Sequence, residues 1–173
     1  MAGELFLSRG YAGASLGMIV AQSGGSFRDL HRTFGGKGSL FLRVMTDVCE
    51  EMLVTMGNTI LRVLLSPRVL CPHRLVISES PRFPTLGKLF FQMGPSNPNK
   101  TVAVFLGSRA DRKRLVLPDP CVAAAIFVNS LVNDLQLQVL AGGTVANSEM
   151  EDRVREAVRL FLSGVRQASL PSI

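Results

Sequence analysis

Apolar residues along this chain recur at intervals of three and four, and no stretch sustains the strict alternation of a half-buried strand. From about Ser39 the positions Leu40, Phe41, Val44, Met45, Val48, Met52 and Met56 follow that step, which predicts a long amphipathic helix. Gly57 is expected to bend or interrupt it, and Ser66-Pro67 to end its continuation through Leu61 and Leu65. Further helices are predicted over residues 69–80, closed by Pro81 and Pro84, over 86–93, closed by Gly94-Pro95, and over 101–107. Ser96-Asn97-Pro98-Asn99 reads as a loop, and the polar stretch 108–120, ending in Pro118-Asp119-Pro120, as a connector. Residues 121–141 are apolar nearly all round at first and stop at Gly142-Gly143. A last helix, from Ser148 or Glu149, carries Val154, Val158, Phe161, Leu162 and Val165 on one stripe, with Arg153, Arg155, Glu156 and Arg159 on its other faces. The pattern predicts an all-α chain.

The first 45 residues are organised differently. Residues 3–9 read as the end of a helix with Gly10 as its C-cap. Leu16, Ile19 and Val20 share one face of a second short helix, and Ser15 stands where that helix needs an N-cap. Ser23-Gly24-Gly25-Ser26 then forms a tight turn, with Ser26 as cap for a basic helix from Phe27 to Phe34. Two short helices joined by a glycine-bearing turn form a helix-turn-helix, whose second helix fits a DNA major groove.

Composition sharpens this picture. The chain has 173 residues, 47% of them hydrophobic, which suits one or two small domains and excludes a disordered chain. Its net charge is +6, and residues 1–45 hold half of that excess on a quarter of the length. Cys49, Cys71 and Cys121 are odd in number and widely spaced, so no disulfide framework is expected and a reducing cytoplasm is the simplest setting. No basic segment leads into an apolar one at the N-terminus, so no signal peptide is expected. The longest uninterrupted apolar run, residues 121–128, is far shorter than the ~20 that span a bilayer. A soluble protein with no membrane partner is expected.

The N-terminal third resembles the TetR family of bacterial transcriptional regulators. The resemblance rests on Leu5-Phe6, Gly10-Tyr11, Ser15-Leu16, Ile19, Gly24, Ser26, Leu30, Phe34, Lys37 and Leu40-Phe41. The run from Arg74 to Pro84 and the later Asp119-Pro120 resemble the AefR-like C-terminal domain within that family. The resemblance implies a DNA-binding domain over residues 1–45 and a ligand-binding and dimerisation domain over 46–173. Its partners would be a double-stranded DNA operator, an apolar small-molecule inducer and a second copy of the chain. Three departures stand out. Gly25 occupies a position the family usually fills with an apolar residue, His31 one where a Tyr commonly touches a phosphate, and Asp29 faces phosphates unless it accepts from a cytosine amine. The first helix also looks short, because the family carries more residues, often a basic arm, ahead of the stretch matched by Ala2. The chain is expected to start late, through a mis-set start or a deletion.

The DNA-binding candidates are Ser15, Ser26, Phe27, Arg28, His31, Arg32 and Lys37. Arg28 and Arg32, four apart, project from neighbouring turns and either touch guanine edges or phosphates or are simply solvated on a surface helix. Phe27 either meets a thymine methyl or sugar or packs locally, and Lys37 is placed at a helix N-terminus, where backbone amides also favour a phosphate. Arg109, Arg112, Lys113 and Arg114 read as a solvated basic loop. Phe83, Phe90, Phe91, Met93 and Phe127 form either plain core or, as the resemblance implies, the lining of an inducer pocket. The helix from Cys121 is apolar over too broad a surface for one side of a monomer's helix. A two-fold interface is therefore expected through Ile126, Leu131, Val154, Val158, Phe161, Leu162 and Val165, unless that helix is the buried centre of one chain. Cys71-Pro72-His73 lacks a second ligand pair, and Pro72 is expected to disrupt a helix, so no metal site follows. No GxSxG, P-loop or GxGxxG occurs, and neither catalytic residues nor a cofactor are expected. The chain reads as a ligand-responsive, homodimeric DNA-binding regulator, most simply a repressor. The alternative class is a helical small-molecule-binding or dimerisation protein with lost or weak DNA binding.

Overall fold

The computed structural model describes residues 2–93, 98–110, 117 and 119–165, apart from the side chains of Phe91, Met93 and Ala110. The described residues form nine helices and no strand. They fall into two compact units, Met1–Met52 and Leu53–Ile173. The units meet inside a single continuous helix, so no linker marks a boundary, and the division comes after Met52 where 45/46 was expected.

The first unit holds α1 (Ala2–Gly13), α2 (Leu16–Ser23), α3 (Phe27–Phe34) and the start of α4 (Lys37–Leu64). Gly10, at φ 69°, breaks α1 into two pieces. The Ser15 hydroxyl accepts the Met18 N–H at 3.2 Å, and the Ser26 hydroxyl accepts the Asp29 N–H at 3.1 Å, so both expected caps form. Gly24 closes α2 in the left-handed conformation, which only glycine adopts without strain, and its N–H reaches the Val20 carbonyl at 3.0 Å. Phe6, Ala14, Ile19, Leu30 and Leu40 form the core.

The second unit holds the rest of α4 with α5 (Pro67–Glu79), α6 (Pro84–Met93), α7 (Pro98–Ala110), α8 (Pro120–Leu140) and α9 (Asn147–Val165). The Asp119 carboxylate caps α8 by accepting the Cys121 and Val122 N–H groups at 2.7 and 3.3 Å, with Pro120 at the first helical position. α8 runs through the centre of this unit, burying Phe127, Val128, Leu131, Val132 and Leu135 against α7 and α9. By length and composition α8 is also the one described helix long and apolar enough to cross a membrane, which the eight-residue run understated. Part of that apolar surface, from Phe127 to Leu135, is the unit's own core, while Val122, Ile126 and Leu137 are exposed.

Several sequence expectations are corrected here. α4 passes through Gly57 as helix. A Cβ there would lie 2.8 Å from Val154 Cγ1 and 3.3 Å from Leu131 Cδ1, so the glycine permits close approach of α8 and α9. Pro72 sits within α5 without ending it, and Pro72 and Arg68, four residues before it, are both exposed. α7 begins at Pro98, the first-turn position proline favours, and runs on to Ala110, so Pro98-Asn99 and residues 108–110 are helical. α9 begins one residue early, at Asn147. Residues 94–97, 111–116 and Pro118 lie outside the described residues.

Side chains reach far along the chain in this unit. Arg74 of α5 donates to the Val139 carbonyl at 2.5 Å, in the last turn of α8, a carbonyl that also accepts the Gly142 N–H at 3.1 Å. Gln136 reaches the Leu64 carbonyl at the end of α4. Arg153 of α9 grips both carboxylate oxygens of Asp134. That bond holds the Asp134 carboxyl below its ordinary range, against a smaller opposing effect of burial.

Candidate functional site

α3 buries one residue, Leu30, and leaves the rest of its surface open. Leu30 anchors the helix in the core, while the spacing of Phe27, Arg28, His31 and Arg32 sets them on its exposed faces. Phe27 is 53% exposed, although its ring tip lies near α2, where a Cβ on Gly17 would sit 3.6 Å away. Local packing and an open aromatic face are therefore both present. Arg28 has no ion-pair partner among the described residues. Arg32 is held: its Nη2 donates to Asp29 Oδ1 at 3.1 Å, while the Ser26 hydroxyl donates to Asp29 Oδ2 at 2.6 Å. Asp29, expected to confront phosphates, is thus engaged by its own helix.

Lys37 begins α4, and its ammonium lies 4.6 Å from the centroid of the Tyr11 ring, within cation–π range. Tyr11 in turn meets Phe41 edge-on at 5.0 Å. This platform for Lys37 was missed in the sequence, because residues so far apart carry no local spacing signal. The Asp29–Arg32 pair, three apart on a helix, was open to prediction. Beside Gly25 an apolar groove of about 260 Å³ opens, lined by Ile19, Val20, Leu30, Phe34 and Leu40. A Cβ at Gly25 would touch only Ser23 Oγ, at 3.5 Å, so the position is an unfilled edge of the core.

The other candidates separate. Phe127 is fully buried and packs on Phe161 at 5.2 Å, Phe90 packs on His73 at 5.2 Å, and Phe83 is exposed beside Arg82. Phe91 and Met93 lie on α6 with side chains outside the described residues. Leu131, Val154, Val158 and Leu162, expected at an interface, are buried by their own chain, because α8 and α9 pack on each other and cover that stripe. Ile126 stays 61% exposed, and Phe161 and Val165 are half-buried. Arg109 lies over the Phe105 ring at 5.0 Å; Arg112, Lys113 and Arg114 lie outside the described residues. Among the described residues no three His, Cys, Asp or Glu side chains gather as a metal site would require.

A capped basic helix, set by a glycine turn behind a second short helix and anchored through one leucine, is the helix-turn-helix of a transcriptional regulator. Residues 51–164 match the family described as AefR-like transcriptional repressor, C-terminal domain. The chain belongs to the TetR family of transcriptional regulators, with an AefR-like C-terminal domain. No curated protein matches it. Among solved structures, the flavonoid-responsive regulator FrrA is similar at 24% identity and a TM-score of 0.61, over 97% of this chain and 94% of that one. A TetR regulator from Agrobacterium tumefaciens gives 20% and 0.64 over 96% and 91%, and one from Mesorhizobium loti 21% and 0.59 over 96% and 93%. These likenesses establish the fold.

Proposed function

We propose that this chain is a cytoplasmic, non-enzymatic repressor that binds its operator as a homodimer and releases it when an apolar small molecule enters the C-terminal unit. The observation that carries this reading is the open face of α3, with Arg28, His31 and Arg32 in solvent behind a capped start. Arg28 and Arg32 read guanine edges or contact phosphates, Phe27 meets a thymine methyl or sugar, and His31 donates to a phosphate. Lys37 and the backbone amides beside Ser15 and Ser26 sit at helix starts, where the peptide dipoles also favour a phosphate. The exposed apolar positions Val122 and Ile126 on α8 and Leu160 on α9, with half-buried Phe161 and Val165, are the surface a two-fold mate would cover. Two recognition helices then read half-sites about 34–36 Å, or a multiple of that, apart.

The effector acts by binding better to a dimer whose recognition helices are wrongly set for the operator. Phe83, Phe90, Phe91 and Met93 are its candidate contacts; Phe127, packed in the core, is reached only if the helices part. FrrA, which shares the fold, is described as flavonoid-responsive, and flavonoids are the first compounds to try.

Fluorescence anisotropy with duplexes from the DNA flanking the gene tests the reading. The expected result is specific binding at about 10⁻⁸ M or tighter, with the log K versus log salt slope flattened by roughly 0.9 in Arg28→Ala. Equal, weak binding to flanking and random duplexes would favour a ligand-binding or dimerisation protein without DNA recognition.

A further inference from the structure

We propose that Asp29 is a positioning residue that fixes Arg32 for a guanine, so that one carboxylate raises sequence discrimination while lowering affinity for DNA at large. This rests on the DNA-reading role proposed above. Asp29 occupies the third position of α3, counted from the Ser26 cap. Its N–H donates to the Ser26 hydroxyl, which returns its proton to Oδ2, so two bonds to the helix's own start set the carboxylate's orientation. The other oxygen, Oδ1, receives the Arg32 Nη2. A long arginine side chain one turn further on is therefore tied to a fixed acceptor.

The chemistry fits a single base. A guanidinium offers five N–H donors in a planar fork, and one is given to Asp29. Two of the remaining four suffice for the O6 and N7 acceptors of guanine. Restricting the side chain beforehand reduces the rotamer freedom lost on binding, which favours the planar, bidentate contact over a loose phosphate contact. Arg32 and Asp29 are both well exposed, so their pairing contributes little to folding. Its effect falls on where the guanidinium points. Arg28, without such a partner, is left to contact phosphate from several geometries. The carboxylate also repels phosphates on every sequence and offsets one cation.

The test begins with selection of sites from a random-sequence duplex library by the full chain, followed by Arg32→Ala to locate the guanine that Arg32 reads. Asp29→Asn should lower discrimination at that base pair by about tenfold, the lower part of the range for one bidentate contact. It should also bind random duplex more tightly, with the salt slope steeper by roughly 0.9, because the carboxylate no longer offsets one cation. Asp29→Glu keeps the charge but displaces the carboxylate by one methylene, and should lose discrimination while keeping the wild-type salt slope. Helix content by circular dichroism should match wild type in both. Unchanged discrimination in Asp29→Asn, or an equal loss of affinity on all sequences, would overturn the proposal in favour of a purely capping role. Failure of the wild-type chain to enrich any sequence would instead remove the DNA-reading role, and this proposal with it.

Discussion

The N-terminal unit closes over five side chains, Phe6, Ala14, Ile19, Leu30 and Leu40, and leaves an apolar groove open beside Gly25. The C-terminal unit buries whole helix faces, from Leu53 and Leu61 on α4 through Val102 and Leu106 on α7 to α8 and α9. What fixes them differs accordingly. In the first, hydroxyl caps and glycine C-caps, each spanning three or four residues, set where helices begin and end. In the second, contacts between distant residues dominate, as in Gly57 against Val154 and Arg74 bonded to the Val139 carbonyl. A small unit that presents a reading helix leaves most of that helix exposed, so local devices must supply the order that burial does not.

Emptying the larger core should separate the two units most clearly. Phe127→Ala removes a fully buried ring packed on Phe161 and should cost about 3–5 kcal/mol. Residue-resolved hydrogen exchange should show that loss in α7, α8 and α9, with amides of α2 and α3 unchanged. Equal loss in α2 and α3 would mean the two units unfold as one.

A smaller effect tests the other side. Ser26→Ala removes the cap of α3 and should cost about 1 kcal/mol, read as faster exchange at Leu30 and His31 with α8 unaffected. A variant with unaltered exchange in α3 would show that the anchor at Leu30 alone holds the recognition helix.

The smallest concerns Asp134 and Arg153. Asp134 is more than half exposed, so their coupling should be about 0.5 kcal/mol at neutral pH by double-mutant cycle. Because the pairing holds the folded carboxyl below its ordinary value, the stabilisation is complete above that value and is lost as pH falls through the depressed one. A coupling energy that persists below both values would assign the contact to packing of the arginine stem.

The caps at Ser15 and Ser26 and the turn at Gly24 were legible in the sequence because each depends on a few adjacent residues. The exposed basic face of α3 was legible too, since the 3.6-residue period alone separates Leu30 from Arg28 and Arg32. The Tyr11 platform beneath Lys37 was not, because it joins distant helices.

An all-helical chain, the places where the short N-terminal helices start and stop, and the apolar stripe of α9 follow from residue order alone. What covers that stripe follows from packing. A row of valines and leucines at helical spacing is equally suited to a second copy or to the chain's own α8, since apolar burial is non-directional. Packing assigned Val154, Val158 and Leu162 to the chain itself and left Ile126 outside. Gly57 shows the same division: local propensity marks it as a weak point in a helix, and the approach of Val154 makes it the residue that lets two helices meet.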